Sequence, residues 1–254
     1  SDQVWREPYS ISLPLFFFDF LNNPQKKRMS YAASFGRGDI TEYSKTQKKQ
    51  CKQLLKLFDI VTVREKEGVD ICLNEFEVDA QQVLDPTMLL LSSDYAKLAE
   101  QGEFITRTTP FVFLYLLDPT REKLEIANSF ARAKGLEVVS ILPSSNKASK
   151  TYPHVFDVLS GFYKSEYVFS DSFHASVFSI IFEKQFYVYP NYKRGNSRLS
   201  SLLKMMNISD RMIEDGKVTV SSIDYTNVNT HLNELRHQSI CILKKFLKTI
   251  QNAG

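Results

Sequence analysis

Short apolar runs alternate with segments of helical period along most of this chain, and that alternation constrains its fold more than any other feature. An apolar run without polar alternation reads as a strand buried on both faces. Strands of that kind joined by helices pair in parallel, because each crossover returns the chain to the same end of the sheet. Residues 29–35 read as a strand that runs into a loop at Gly36. Residues 42–58 carry Leu54, Leu55 and Phe58 on one face and lysines elsewhere, which predicts an amphipathic helix. The β-branched run Ile60-Val61-Thr62-Val63 predicts a buried strand, and Asp85-Pro86 opens a loop ahead of a short apolar run at 88–91.

A polar stretch between Tyr95 and Thr109, closed by Pro110, interrupts the pattern. Beyond it, strands are expected at 111–117, 137–142, 167–169 and 186–189. Helices are expected at 121–134, with Gly135 as C-cap, and at 152–163, 173–182 and 199–206, and a long helix at 231–250 ends the pattern. The expected class is α/β: a Rossmann-like domain over residues 1–105, a second over 106–230, and a closing helix over 231–254. The C-terminal half carries a full set of alternating elements, whereas the N-terminal half is short by several.

Composition narrows the function classes. Charged residues make up 24% and hydrophobic residues 43%, which excludes disordered, collagen-like and coiled-coil chains. A net charge of +3 is too small to imply a nucleic-acid partner. The three cysteines, Cys51, Cys72 and Cys241, are scattered, without metal-ligand spacing, and read as reduced thiols. No apolar run approaches the ~20 residues that span a bilayer, and the first residues lack the pattern of a secretion signal. The expected location is therefore cytoplasmic.

Two strand-to-helix junctions could carry chemistry, since ligands of doubly wound sheets bind beyond the carboxyl ends of strands, where helix N-termini aim free N–H groups. At Tyr167-Val168-Phe169-Ser170-Asp171-Ser172-Phe173-His174-Ala175 a hydrophobic strand ends in small polar residues and a helix begins, with Asp171 or Ser172 as N-cap. His174 falls in the first turn, where it could contact an anion or move a proton, or could be a buried structural histidine. At Asn191-Tyr192-Lys193-Arg194-Gly195-Asn196-Ser197-Arg198 three cations precede a helix capped by Asn196 or Ser197, a phosphate or carboxylate site or else a solvated basic loop. Gly36-Arg37-Gly38-Asp39 does not match a dinucleotide fingerprint and reads as a loop cradle or a plain turn. Arg64-Glu65, after the strand at 60–63, could reach a cleft or form a local salt bridge. His154, His231 and His237 have no metal-spaced partner, and no metal site is expected.

The ordered set Ser1-Asp2-Gln3-Val4-Trp5, Ser30-Tyr31-Ala32-Ala33-Ser34-Phe35-Gly36, Val63-Arg64-Glu65, Asp85-Pro86-Thr87 and Ser170-Asp171-Ser172-Phe173-His174-Ala175 resembles the polysaccharide pyruvyl transferase family. Ile223-Asp224-Tyr225 with Leu235-Arg236 and Ser239 is similar to that family's ending. The resemblance implies two Rossmann-like domains similar to the GT-B glycosyltransferase fold. It also implies transfer of the pyruvyl group of phosphoenolpyruvate to two hydroxyls of a sugar, giving a cyclic ketal and phosphate. Phosphoenolpyruvate is then the donor substrate and no cofactor is implied. The acceptor is a sugar or a lipid-linked oligosaccharide, with membrane-surface association left open.

His174 matches the family's donor-binding histidine and is the expected catalytic residue. Many members place an arginine before that histidine. Ser172-Phe173 stands there in this chain, so Arg194 or Arg198 is expected to replace that contact, beside Asp171, Ser172, Asn196 and Ser197. Trp5, Ser34, Phe35, Gly36 and Arg64 are expected on the acceptor side of the cleft. The family normally begins upstream of Asp2-Gln3-Val4-Trp5, so the N-terminal domain is expected to be incomplete. A glycosyltransferase using a nucleotide-sugar and a non-catalytic carbohydrate-binding protein of the same fold are the alternatives.

Overall fold

The computed structural model describes residues 2–23, 25–141, 153–219 and 221–251. The chain forms two compact units. Unit 1 contains residues 1–89, 193–206 and 226–254, and unit 2 contains 90–192 and 207–225.

Unit 1 is built on a parallel sheet of β1 (Met29–Ala33), β2 (Ile60–Val63) and β3 (Gln81–Gln82), in that order. The crossover helices are α1 (Lys45–Leu55) and α2 (Lys66–Phe76). Ser44 caps α1 and forms a reciprocal capping box with Gln47, which fixes where the amphipathic segment turns helical. The apolar faces of α1 and α2 meet Val61, Val63, Trp5, Phe17 and Phe35 in one core. Trp5 and Phe35, expected in a cleft, belong to this core. Each is 1% exposed, and the Trp5 ring stacks on Phe17 at 4.8 Å while its indole N–H donates to the Phe16 carbonyl at 3.2 Å. Burying so large an aromatic area inside the unit outweighs a role for either ring at the surface.

Unit 2 is built on the parallel strands β4 (Phe111–Tyr115), β5 (Glu137–Ser140), β6 (Tyr167–Ser170) and β7 (Gln185–Val188), in the spatial order β5-β4-β6-β7. Its helices are α3 (Ser92–Ala99), α4 (Arg121–Lys134), α5 (Val155–Lys164) and α6 (Phe173–Ile181). Helix α4 matches its expected bounds, with Thr120 as N-cap and Gly135 in the left-handed conformation as C-cap. The expected parts of the β5 strand and of the α5 helix that fall on 142–152 lie outside the described residues.

The division differs from the expected boundary at 105. Helix α3 packs on α5, so residues from Leu90 onward belong to unit 2. In the other direction, α7 (Asn196–Met205) and α8 (Tyr225–Gln251, from Thr226) belong to unit 1. Helix α7 begins at Asn196 behind Gly195, so the expected caps Asn196 and Ser197 stand inside its first turn. The two parallel sheets with their crossover helices are the Rossmann-like α/β architecture the alternation implies. Among the described residues no helix is long and apolar enough to cross a membrane.

Candidate functional site

The strand order of unit 2 contains a point where successive crossovers leave in opposite directions. From β4 the chain passes through α4 to β5 on one side, and from β6 through α6 to β7 on the other. Ligands of open parallel sheets bind in the crevice that such a reversal opens beyond the strands' carboxyl ends.

Both sides of that crevice are fixed by Asp171. Its buried carboxylate accepts the Leu117 N–H at 2.6 Å and the Asp118 N–H at 3.1 Å, which pins the loop after β4 to the end of β6. Lys123 Nζ donates to the same carboxylate at 2.7 Å and to the Asp118 carbonyl at 2.9 Å. Asn191, after β7, donates to the Asp118 carboxylate at 3.0 Å. Asp171 therefore holds the frame, and its oxygens face protein donors. Ser172, rather than Asp171, caps α6: its hydroxyl accepts the Ala175 N–H at 3.5 Å, while its own N–H donates to Ser170 Oγ at 3.0 Å. His174 is half-buried in the first turn of α6, where the helix dipole favours an anion.

Unit 1 holds a second constellation beyond the carboxyl ends of β1 and β2. Glu65 is buried, and its Oε1 accepts from Ser34 Oγ at 2.8 Å, the Phe35 N–H at 2.8 Å and the Gly36 N–H at 3.2 Å. These bonds fold the Ser34-Phe35-Gly36 turn around one carboxylate, and burial raises its pKa above the ordinary glutamate range. Arg64, 2% exposed, donates to Asp85 at 3.0 Å and to Asp2 at 2.9 Å. Burial works against its charge, but Glu65, Asp85 and Asp2 together more than offset this and raise its pKa. The same Asp2 oxygen accepts from Arg198 at 2.9 Å. Arg198 also donates to the Arg194 carbonyl at 2.8 Å. Burial, with the neighbouring Arg64 charge, lowers its pKa to about 10, which leaves it charged at neutral pH. Helix α7 has no side-chain cap, and the buried Ser197 Oγ has no hydrogen-bond partner among the described residues.

The expected site residues thus fall into two groups. Asp171, Ser172 and His174 belong to unit 2, whereas Ser34, Gly36, Arg64, Arg194, Asn196, Ser197 and Arg198 belong to unit 1. Lys123 completes the unit 2 constellation without having been expected in it, while Glu65 and Asn191 stand in segments that the sequence singles out, Arg64-Glu65 and the loop from Asn191 to Arg198. Lys123 meets Asp171 across 48 residues of sequence and Arg64 meets Asp2 across 62, separations at which no local spacing signals a partner. Among the described residues, no group of three or more His, Cys, Asp or Glu could hold a metal ion.

The family model for polysaccharide pyruvyl transferase matches residues 3–192. The chain belongs to that family. The match takes in Asp171, Ser172 and His174 with Ser34, Gly36, Arg64, Glu65 and Asp85, while Asp2 precedes it and Arg194, Asn196, Ser197, Arg198 and the Ile223-Asp224-Tyr225 pattern lie beyond it. No curated protein gives a significant match to the chain.

Proposed function

We propose that this polysaccharide pyruvyl transferase takes the pyruvyl group of phosphoenolpyruvate and attaches it to two hydroxyls of a sugar as a cyclic ketal. The observation that carries the reading is His174 in the first turn of α6, at the reversal of the unit 2 sheet, in a chain whose match to the family covers that turn. Ketal formation adds one proton to the methylene carbon, which becomes a methyl group. Two sugar oxygens bond to the central carbon as its bond to the phosphate oxygen breaks. The two hydroxyl protons go to the methylene and to the departing phosphate. An imidazole, whose ordinary pKa lies near neutrality, suits either transfer.

Ser172 orients α6 so that its N–H groups face the anionic donor, and Asp171 with Lys123 keeps the opposite loop in place. At the start of α7, Arg198, Asn196 and Ser197 with Arg194 of the preceding loop form an anion-binding helix terminus that complements charge on a substrate. In unit 1 the turn held by Glu65 stands on the acceptor side, where Ser34, 0% exposed and bonded to Glu65, supports the turn from within and Arg64 fixes that support. The donor is a substrate consumed stoichiometrically, and the balanced reaction requires no further cofactor.

The test is thermal stability with phosphoenolpyruvate, UDP or GDP, for the protein and for His174→Ala, together with phosphate release in the presence of a sugar acceptor. A ligand at 100 times its Kd stabilises the folded state by about 2.7 kcal/mol. Stabilisation by phosphoenolpyruvate that His174→Ala abolishes, with phosphate release reduced at least about 100-fold, is the expected result. Stabilisation by a nucleotide alone, or transfer unchanged in His174→Ala, overturns the proposal.

A further inference from the structure

The last three turns of α8 have a composition that the family's chemistry does not explain. The helix runs for 27 residues, yet its buried residues are Val228, Leu232 and Ser239, all in its first two-thirds. No acidic residue follows Glu234, and Lys244, Lys245 and Lys248 are all exposed. At about 100° per residue, Ile242, Leu243, Phe246, Leu247 and Ile250 gather on one face and the three lysines on the other. The apolar face is not fully covered within unit 1, since Leu247 is 56% and Ile250 45% exposed. Among the described residues, none of the three lysines forms an ion pair. A groove of about 390 Å³ alongside, lined by Asp59, Asp79, Ile60, Ile242 and Lys245, separates this stretch of helix from the sheet, and Asp59 is already bonded to Lys27.

We propose that residues 240–251 are a membrane-surface anchor that lies in the plane of an anionic bilayer, its apolar face among the acyl chains and its lysines at the headgroups. A helix with an apolar stripe and a polar face whose charged residues are all cationic, too short and too charged to span, has the pattern of an interfacial helix. Charge complementarity selects the occupant. Three lysines without an acidic residue among their helical neighbours give the helix a net positive charge that complements an anionic lipid surface. An anchor here holds the enzyme at the surface where a lipid-linked saccharide presents its sugar.

The test is co-flotation of the full chain with vesicles of phosphatidylglycerol and phosphatidylcholine, compared with pure phosphatidylcholine. Two variants accompany it: Leu247→Glu with Ile250→Glu, and Lys244→Gln with Lys245→Gln and Lys248→Gln. Their side chains are exposed, so both variants retain the parent Tm. The protein is expected to float with the anionic vesicles only, less so as salt is raised. The lysine variant binds roughly 100-fold more weakly, and the glutamate variant does not bind. Absence of binding to anionic vesicles, or binding that survives both variants, overturns the proposal. So does sedimentation velocity showing a dimer that the glutamate variant dissociates, because the apolar face would then belong to a second copy. None of these readouts involves pyruvyl transfer, so their failure leaves the donor assignment standing.

Discussion

Glu65 shows how one carboxylate can organise a turn and make the protein's stability depend on pH. Because burial raises its pKa in the folded state, the folded protein binds a proton there more readily than the unfolded chain does. The contribution is therefore greatest below the ordinary glutamate pKa and is lost as pH rises through the raised one. Across that interval the unfolding free energy of the protein is expected to fall, relative to that of Glu65→Gln, as pH rises. Curves that stay parallel would show that the carboxyl titrates normally. Asp171 is the counterpart in unit 2, where its engaged oxygens make it a support. Removing it in Asp171→Ala leaves the Leu117 and Asp118 N–H groups without their acceptor and the Lys123 ammonium without its carboxylate, with the Asp118 carbonyl still in reach. Loss of one partner from a buried charged network costs about 3–5 kcal/mol, readable as a lower denaturant midpoint. Asp171→Asn, which keeps one acceptor oxygen, is expected to lose less.

At the scale of elements, the start of α7 is set by a glycine and by what that glycine touches. Gly195 has φ +96°, and a Cβ there would lie 1.7 Å from the Gly36 carbonyl oxygen. Gly135, closing α4, has φ +67° with nothing within 4 Å of the same ideal Cβ. The pair separates backbone strain from collision. Gly135→Ala is expected to cost about 1–2 kcal/mol, the left-handed penalty alone, and Gly195→Ala more than about 3 kcal/mol, both by chemical denaturation. Equal costs would mean that the Gly36 turn yields freely. The same contrast explains what the sequence made legible. Helix α4 could be read to the residue because its cap, its apolar stripe and its terminal glycine are all local. The sequence pattern places the start of α7 three residues late, at 199 instead of Asn196, because that start depends on a contact with a turn 159 positions away (195 − 36). Helix α2 was not anticipated, since Gly68 and Asn74 weaken its local propensity while Ile71, Cys72 and Phe76 bind it to the core. In the candidate site, His174 and Ser172 were legible because a strand end and a helix start adjoin in sequence. Of the partners of Arg64, the adjacent Glu65 was legible as a local salt bridge, with Nε and Oε2 3.7 Å apart, whereas Asp2 and Asp85 were not, because they arrive from two distant loops.

At the scale of the whole molecule, the chain leaves unit 1 after Leu89 and returns to it twice, first for α7 and then for α8. A division read along the sequence can only be contiguous, which is why α7 was grouped with the strands that precede it. What returns α8 to unit 1 is specific. Ser239 Oγ accepts the Leu84 N–H at 3.1 Å, Arg236 Nε donates to the Met88 carbonyl at 2.9 Å, and Leu232 is 4% exposed. Leu232→Ala therefore removes buried surface from the part of α8 that Arg236 and Ser239 attach to unit 1. Truncating a buried leucine costs about 2–5 kcal/mol. If the two units respond separately, hydrogen exchange in this variant accelerates across Met29–Ala33 and Ile60–Val63, while Phe111–Tyr115 and Tyr167–Ser170 keep their protection. An equal loss in both sheets would show that the units unfold as one cooperative body. In that event α8, remote in sequence from β4 and β6, would contribute to their stability as much as it does to the sheet of unit 1, to which Ser239 and Arg236 attach it.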